Sequence, residues 1–151
     1  MDDSPQTDLS PLDLQTQVPQ LAALAAFRFQ LRHFLSFSEV ASERAGIQAQ
    51  QYQLMQVIAA MPATEQASIS YLADRMVLRH NSTVELVDRA EKAGLVARRN
   101  DAKDLRKSLV VLTPHGIGIL RQLVEDHVRE IKRINGDLSA ALRAVVGSET
   151  E

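Results

Sequence analysis

The sequence predicts a mainly α chain carrying one small β-hairpin. Apolar residues recur at helical spacing along most of its length. The only two runs rich in β-branched and aliphatic residues, 95–99 and 108–113, lie close together. A capping residue, a proline or a glycine also stands at most of the expected helix ends. A period of 3.6 argues for helices, and paired short aliphatic runs argue for a hairpin.

Residues 1–17, with Pro5, Pro11 and mostly polar neighbours, read as a mobile tail with a short helical lead-in near 12–17. Residues 18–61 carry two helices. The first runs over 18–44, since Pro19 is tolerated in a first turn, with one stripe of Leu21, Leu24, Leu31 and Leu35 beside another of Phe27, Phe34, Phe37 and Ala41. Gly46 ends it. The second, 48–61, turns Tyr52, Met55 and Ile58 inward behind a weak cap, Gln48.

Residues 62–113 form the most informative stretch. After the polar linker 62–67, Ser68 is placed to cap a helix whose apolar face is Ile69, Leu72, Ala73 and Met76. A second helix, 82–93, has Leu86, Val87, Ala90 and Ala93 on one side and Asn81, Glu85, Asp88 and Lys92 on the other. Ser82 and Glu85 have capping-box spacing, and Gly94 supplies a left-handed stop. The segment 100–107 joining the two strands is too long for a two-residue turn and too charged for burial. Helix, helix and a hairpin with a basic tip make a winged helix-turn-helix.

Residues 114–147 begin with Thr113 as N-cap and Pro114 at the first helical position. The stripe Ile117, Leu120, Val124, Val128, Ile131 and Ile134 repeats near every seventh residue. Gly136 is expected to break this helix, with Asp137 capping a last one through Leu138, Ala141, Leu142, Val145 and Val146. A 46-residue winged module cannot cover the stripes at both chain ends. Each large aliphatic side chain left in water forfeits about 1.5–3 kcal/mol, which favours a homodimer whose dimerisation region is built from the N- and C-terminal helices. The other solution is a monomer whose end helices fold back on each other.

Composition narrows the functional classes. The 151 residues, 45% of them hydrophobic, suit one domain with a real core. With no cysteine, disulfides and thiolate chemistry are excluded. No apolar run reaches the length of a membrane span and the acidic start is no signal peptide, so no membrane partner and a cytoplasmic location are expected. The net charge of −2 is unevenly spread: residues 68–113 hold nine Lys/Arg against six Asp/Glu, a net of +3, and the remainder carries −5. One positive module on an acidic body suits a protein that offers a single face to phosphate. His33, His80, His115 and His127 are scattered without ligand spacing, Gly116 and Gly118 fall inside a helix, and no nucleophile–base set can be assembled. No metal, no cofactor, no catalytic residue and no enzyme activity are expected.

The stretch LVARRNDAKDLRKSLVVLTPHGIGIL resembles the wing and following helix of the MarR family of bacterial transcription regulators. Asp104-Leu105-Arg106 matches the family's Asp-x-Arg wing pair, and Leu112-Thr113-Pro114-His115-Gly116 its Leu-Thr-x-x-Gly run. Gln51-Tyr52-Gln53-Leu54 and Glu91-Lys92-Ala93-Gly94-Leu95-Val96 are similar to the family's second helix and recognition-helix exit. The similarity spans roughly residues 20–147. It implies a transcription regulator, most commonly a repressor, that binds double-stranded DNA as an intertwined homodimer.

The helix-turn-helix places Arg79, His80, Asn81, Ser82, Thr83, Val84 and Glu85 in the major groove, where Asn81 suits adenine and Val84 a thymine methyl. Glu85 has its cheaper reading as a cap. Backbone N–H groups near Ser68 and Ser70 suit phosphates. In the wing, Arg106 would enter a narrow minor groove flanked by phosphate contacts from Lys103 and Lys107. By the family pattern Asp104 should brace the wing by bonding an arginine at its base, for which Arg98 is the candidate. Family members are often released from DNA by small aromatic or phenolic acids, implying a pocket among Phe27, Arg28, His33, Phe34, Phe37, Tyr52 and Met55; the same residues also read as ordinary core. The rival functions are a winged-helix protein–protein interaction module and a non-specific architectural DNA-binding dimer.

Overall fold

The computed structural model describes residues 10–147. In order the elements are α1 (Pro11–Gln17), α2 (Gln20–Arg44), α3 (Ala49–Ala59), α4 (Ile69–Met76), α5 (His80–Lys92), β1 (Val96–Asn100), β2 (Ser108–Leu112) and α6 (Pro114–Val146). They form two compact units, one of the chain ends up to Ser36 and from Glu130, the other of Phe37–Arg129. Of the tail expected over 1–17, residues 1–9 lie outside the described residues, and 11–17 are helical.

The unit of residues 37–129 is organised around a closed core. Leu54, Met55, Leu72, Leu86, Val87, Ala90 and Leu95 are fully buried, with Val96, Val110 and Leu123 nearly so. Each comes from a stripe of 3.6 period or from the inward register of the hairpin. The two strands pair antiparallel, Val96 opposite Leu112 and Asn100 opposite Ser108. Ala67 extends this sheet by accepting the Val110 N–H at 2.9 Å, beside a Ser68–Leu109 bridge. That contact docks the start of α4 on the hairpin. The Ser68 hydroxyl caps α4 by accepting the Tyr71 N–H at 3.2 Å.

Two helix ends require unusual backbone. Gly94, at φ +72, follows α5 and turns the chain into β1 without a Cβ penalty. Val77 closes α4 at φ 55, ψ 45, the left-handed region, and the residue is 89% exposed. A β-branched residue held there costs on the order of 1–3 kcal/mol. Gly116 is needed for a different reason. A Cβ there would lie 2.1 Å from the Leu95 carbonyl oxygen, so only glycine lets the first turn of α6 approach the strand entry.

Two sequence expectations are overturned. The Ser82–Glu85 capping box does not form, because α5 starts two residues earlier. Arg79 is the N-cap without a side-chain bond, which puts Ser82 inside the first turn. Gly136 breaks nothing and Asp137 caps nothing, since α6 is one helix of 33 residues. A mid-helix glycine costs only about 1 kcal/mol against alanine, and it stops a helix only by leaving helical geometry. The positive-φ glycines are Gly46, Gly94 and Gly147, not Gly136.

The unit of chain ends is built differently. Ser10 and Asp13 form a reciprocal capping box at α1, and these bonds hold the Asp13 carboxyl below its usual range. Among its described residues the buried hydrophobic side chains are Ile134 and Ala141. Leu12, Leu14, Val18, Leu24, Phe29, Leu35, Ile131, Leu142 and Val146 are exposed.

Candidate nucleic-acid interface

Helix α5 is seated by one edge. Thr83, Leu86, Val87 and Ala90, at i, i+3, i+4 and i+7, are all buried, which turns the opposite edge outward. Arg79, His80, Asn81, Ser82 and Glu85 are exposed and Val84 is half-buried. Thr83 is a correction to the expected contact set. Its side chain is fully buried, and its hydroxyl donates to the Arg79 carbonyl at 2.9 Å, so it faces the core rather than a groove. Ser70, at the start of α4, is exposed; Ser68 is half-buried with its hydroxyl committed to the cap.

The wing is braced, though not by the expected pair. Arg98, on β1, bonds Asp88 Oδ1 at 2.6 Å and Glu91 Oε1 at 3.0 Å, and its backbone N–H donates to Glu91 Oε2 at 3.0 Å. These two carboxylates sit three residues apart on α5, beside the strand that follows it, and they take the guanidinium. Asp104 acts locally instead: its Oδ1 accepts from the Arg106 backbone N–H at 3.1 Å and from Arg106 Nε at 3.2 Å. The Arg98–Asp104 brace is therefore replaced by two separate devices, one tying the wing base to α5 and one shaping the tip.

A second turn of the same kind precedes it. Asp101, buried, accepts the Lys103 N–H at 2.9 Å, while its own N–H donates to the Lys107 carbonyl at 3.0 Å. Such Asx turns fix a loop without burying cations. The outcome is a stiff tip on which Lys103, Lys107 and Arg106 are exposed, the Arg106 side chain at 92%. Leu105 at the same tip is also exposed.

Thr113 ties the interface to α6. Its hydroxyl donates to the Gly94 carbonyl at 2.5 Å and accepts the Gly116 N–H at 3.0 Å, so one oxygen holds the exit of α5 and the first turn of α6. His127 was read in the sequence only as a scattered histidine. In the structure it is buried, with Nδ1 2.6 Å from the Leu123 carbonyl and Nε2 2.9 Å from Ser38 Oγ. A carbonyl can only accept, so Nδ1 carries a proton. The ring stacks on Tyr52 at 4.4 Å and meets the edge of Phe37 at 5.3 Å. Its seven-residue spacing from Leu120 and from Ile134, both buried, was the available signal.

The residues expected to line an effector pocket are divided between the two units. Phe27, Arg28, His33 and Phe34 belong to the unit of chain ends, where Phe29 meets His33 edge-on at 4.5 Å. Phe37, Tyr52 and Met55 belong to the other unit. There Tyr52 and Met55 are closed core, and burial pushes the Tyr52 phenol above its ordinary pKa. That unit does have a groove of about 720 Å³ between α3 and α4, lined by Gln56, Val57, Ala60, Pro62, Glu65, Tyr71, Asp74 and Arg75, none of them in the expected set. Among the described residues no three His, Cys, Asp or Glu side chains are grouped to hold a metal ion. No described helix is long and apolar enough to cross a membrane.

The comparisons agree with this geometry. A family model described as the MarR family matches residues 45–107, from the start of α3 to the end of the wing tip. Over those residues the chain is similar to the MarR family. A Thauera aromatica protein named for transcriptional regulation of the hcr operon is 26% identical over 119 residues, covering 79% of this chain and 70% of that one. The MarR-family regulator AbsC of Streptomyces coelicolor has a similar fold, with a TM-score of 0.63, 22% identity and coverage of 86% of this chain and 82% of AbsC. A Staphylococcus aureus MepR variant bound to an oligodeoxyribonucleotide gives a TM-score of 0.63 at 17% identity, covering 82% of this chain and 95% of MepR. At those identities the two structures speak for the fold alone. The family model and the Thauera aromatica relative both carry the description or name of transcriptional regulators.

Proposed function

We propose that this chain is a homodimeric, sequence-specific repressor of the MarR family that binds double-stranded DNA at a pseudo-palindromic operator in the cytoplasm. The observation that carries the reading is the pairing of an outward, cation-bearing start of α5 with a braced wing whose Arg106 projects into solvent. A helix and a basic prong so placed fit a major groove and the adjacent minor groove, with Arg79, His80, Asn81, Ser82, Val84 and Glu85 toward base edges. Lys103, Lys107 and the N–H groups near Ser68 and Ser70 would meet phosphates. The MepR variant's oligodeoxyribonucleotide complex supports DNA as the partner class.

The second copy follows from α6. Ile117, Val124, Val128, Ile131 and Leu142 are exposed along one helix, most at heptad-like intervals, while Leu120, Leu123, His127, Ile134 and Ala141 are buried. One face is covered within the chain, and the other suits the same face of a partner. Two-fold symmetry sets half-sites about one helical turn apart. Release by a small aromatic or phenolic acid completes the proposal, with Phe27, Arg28, His33 and Phe34 the remaining residues for its site.

A gel shift against the promoter region beside the gene, at two salt concentrations and with a benzoate or phenol added, tests all of this. Selective binding that falls steeply with salt and is relieved by the acid is expected. Equal affinity for scrambled DNA would favour an architectural dimer, and no binding at all would favour a protein-interaction module.

A further inference from the structure

The turn between α4 and α5 contains a side chain that the fold does not explain. Val77 holds a left-handed backbone, φ 55 and ψ 45, where glycine or asparagine is the unstrained choice. The turn itself needs that backbone. The Val77 N–H donates to the Asp74 carbonyl at 3.2 Å and the Leu78 N–H to the Ala73 carbonyl at 3.0 Å, closing α4. It does not need the isopropyl group: the residue is 89% exposed, so the side chain gains too little packing to offset the strain. Leu78, the next residue, is the one that packs against the core.

The surroundings indicate what such a group could meet. Val77 lies two residues before the N-cap of α5, in a stretch where Arg75, Arg79 and His80 are exposed against one exposed carboxylate, Asp74. A protein surface patch or a membrane would match an exposed valine with other apolar groups, whereas cations around it favour phosphate. On duplex DNA the apolar group available in the major groove is the 5-methyl of thymine. Strained backbone persists where function repays it.

We infer that Val77 is a specificity-determining DNA contact, its isopropyl group packing on a thymine methyl at the edge of the groove that α5 enters. This rests on the DNA-binding reading above and adds to it a residue ahead of the recognition helix. No hydrogen bond is involved. The contact buries apolar surface, so it discriminates thymine from uracil or cytosine while leaving the phosphate contacts intact.

The experiment uses the full chain and a duplex obtained from a random library by rounds of selection, with each dT replaced in turn by dU. The wild type should lose about fourfold in affinity at one position per half-site, the worth of one buried methyl. Val77→Gly and Val77→Asn should bind the unmodified duplex about tenfold more weakly and be indifferent to that replacement. Their melting temperatures should stay level or rise by a few degrees, as strain is relieved. Variants that bind as tightly as the wild type, or a wild type blind to every dU, would overturn the assignment. So would a fall in melting temperature in both variants, which would make the valine structural. A wild type that selects no sequence would instead sink the repressor reading and this assignment with it.

Discussion

The two units dispose of their apolar side chains in opposite ways. Between Phe37 and Arg129, helices α3 to α5, the hairpin and the first turns of α6 close over Leu54, Met55, Leu72, Leu86 and Leu95 without help. Among the described residues of the chain ends, only Ile134 and Ala141 are buried hydrophobics, while Leu24, Phe29, Leu35 and Leu142 stand in solvent. The winged module buries its own apolar side chains, whereas the ends leave theirs in solvent, where the proposed second copy would cover them. Folding of the module and association of the ends should therefore respond to different substitutions.

The largest expected effect tests the needy half. Ile131→Asp with Leu142→Asp should convert a dimer to monomers by sedimentation equilibrium and weaken operator binding by about 100-fold or more, because the two half-sites are no longer linked. A wild type already monomeric at micromolar concentration would erase the contrast. Gly116→Ala tests the self-sufficient half: driving a Cβ into the Leu95 carbonyl should cost roughly 1–3 kcal/mol and lower the melting temperature without changing the oligomeric state. An unchanged melting temperature would mean α6 can shift away from the strand.

A smaller effect separates binding from folding inside the module. Arg106→Ala should weaken operator binding about tenfold in a gel shift and leave melting within about 1 °C, since so exposed an ion pair contributes little to stability. A large loss of stability would make that arginine structural. The smallest effect concerns alkali. The buried Tyr52 phenol has its pKa raised in the folded state, so its stabilising effect is complete below the unfolded value near 10 and is lost as pH rises through the folded value. Melting temperature should fall more steeply above pH 10 in the wild type than in Tyr52→Phe.

Much of this was legible in the sequence because local chemistry and burial agreed. Ser68, Gly94 and Thr113 each cap or stop an element where the apolar stripes begin or end, and no tertiary contact overrides them. Where the reading failed, a non-local partner or a tolerated exception decided. Arg98 pairs with α5 rather than with Asp104 because Asp88 and Glu91 reach it across the helix–strand corner, which spacing within the wing cannot reveal. Gly136 stays helical because the helix on both sides outweighs one poor residue. His127 hid because a polar ring in an apolar stripe gives no hydrophobic signal, and its partner Ser38 lies 89 residues away.

The Thr113 hydroxyl, shared between the Gly94 carbonyl and the Gly116 amide, works as a pivot pin. The opening turn of α6 and the trailing end of α5 are thereby joined at one oxygen, beside the bond from the Thr113 N–H to the Leu95 carbonyl. A displacement of either rod is therefore passed to the other, and replacing that oxygen with a methyl group should leave only the backbone bond to couple them.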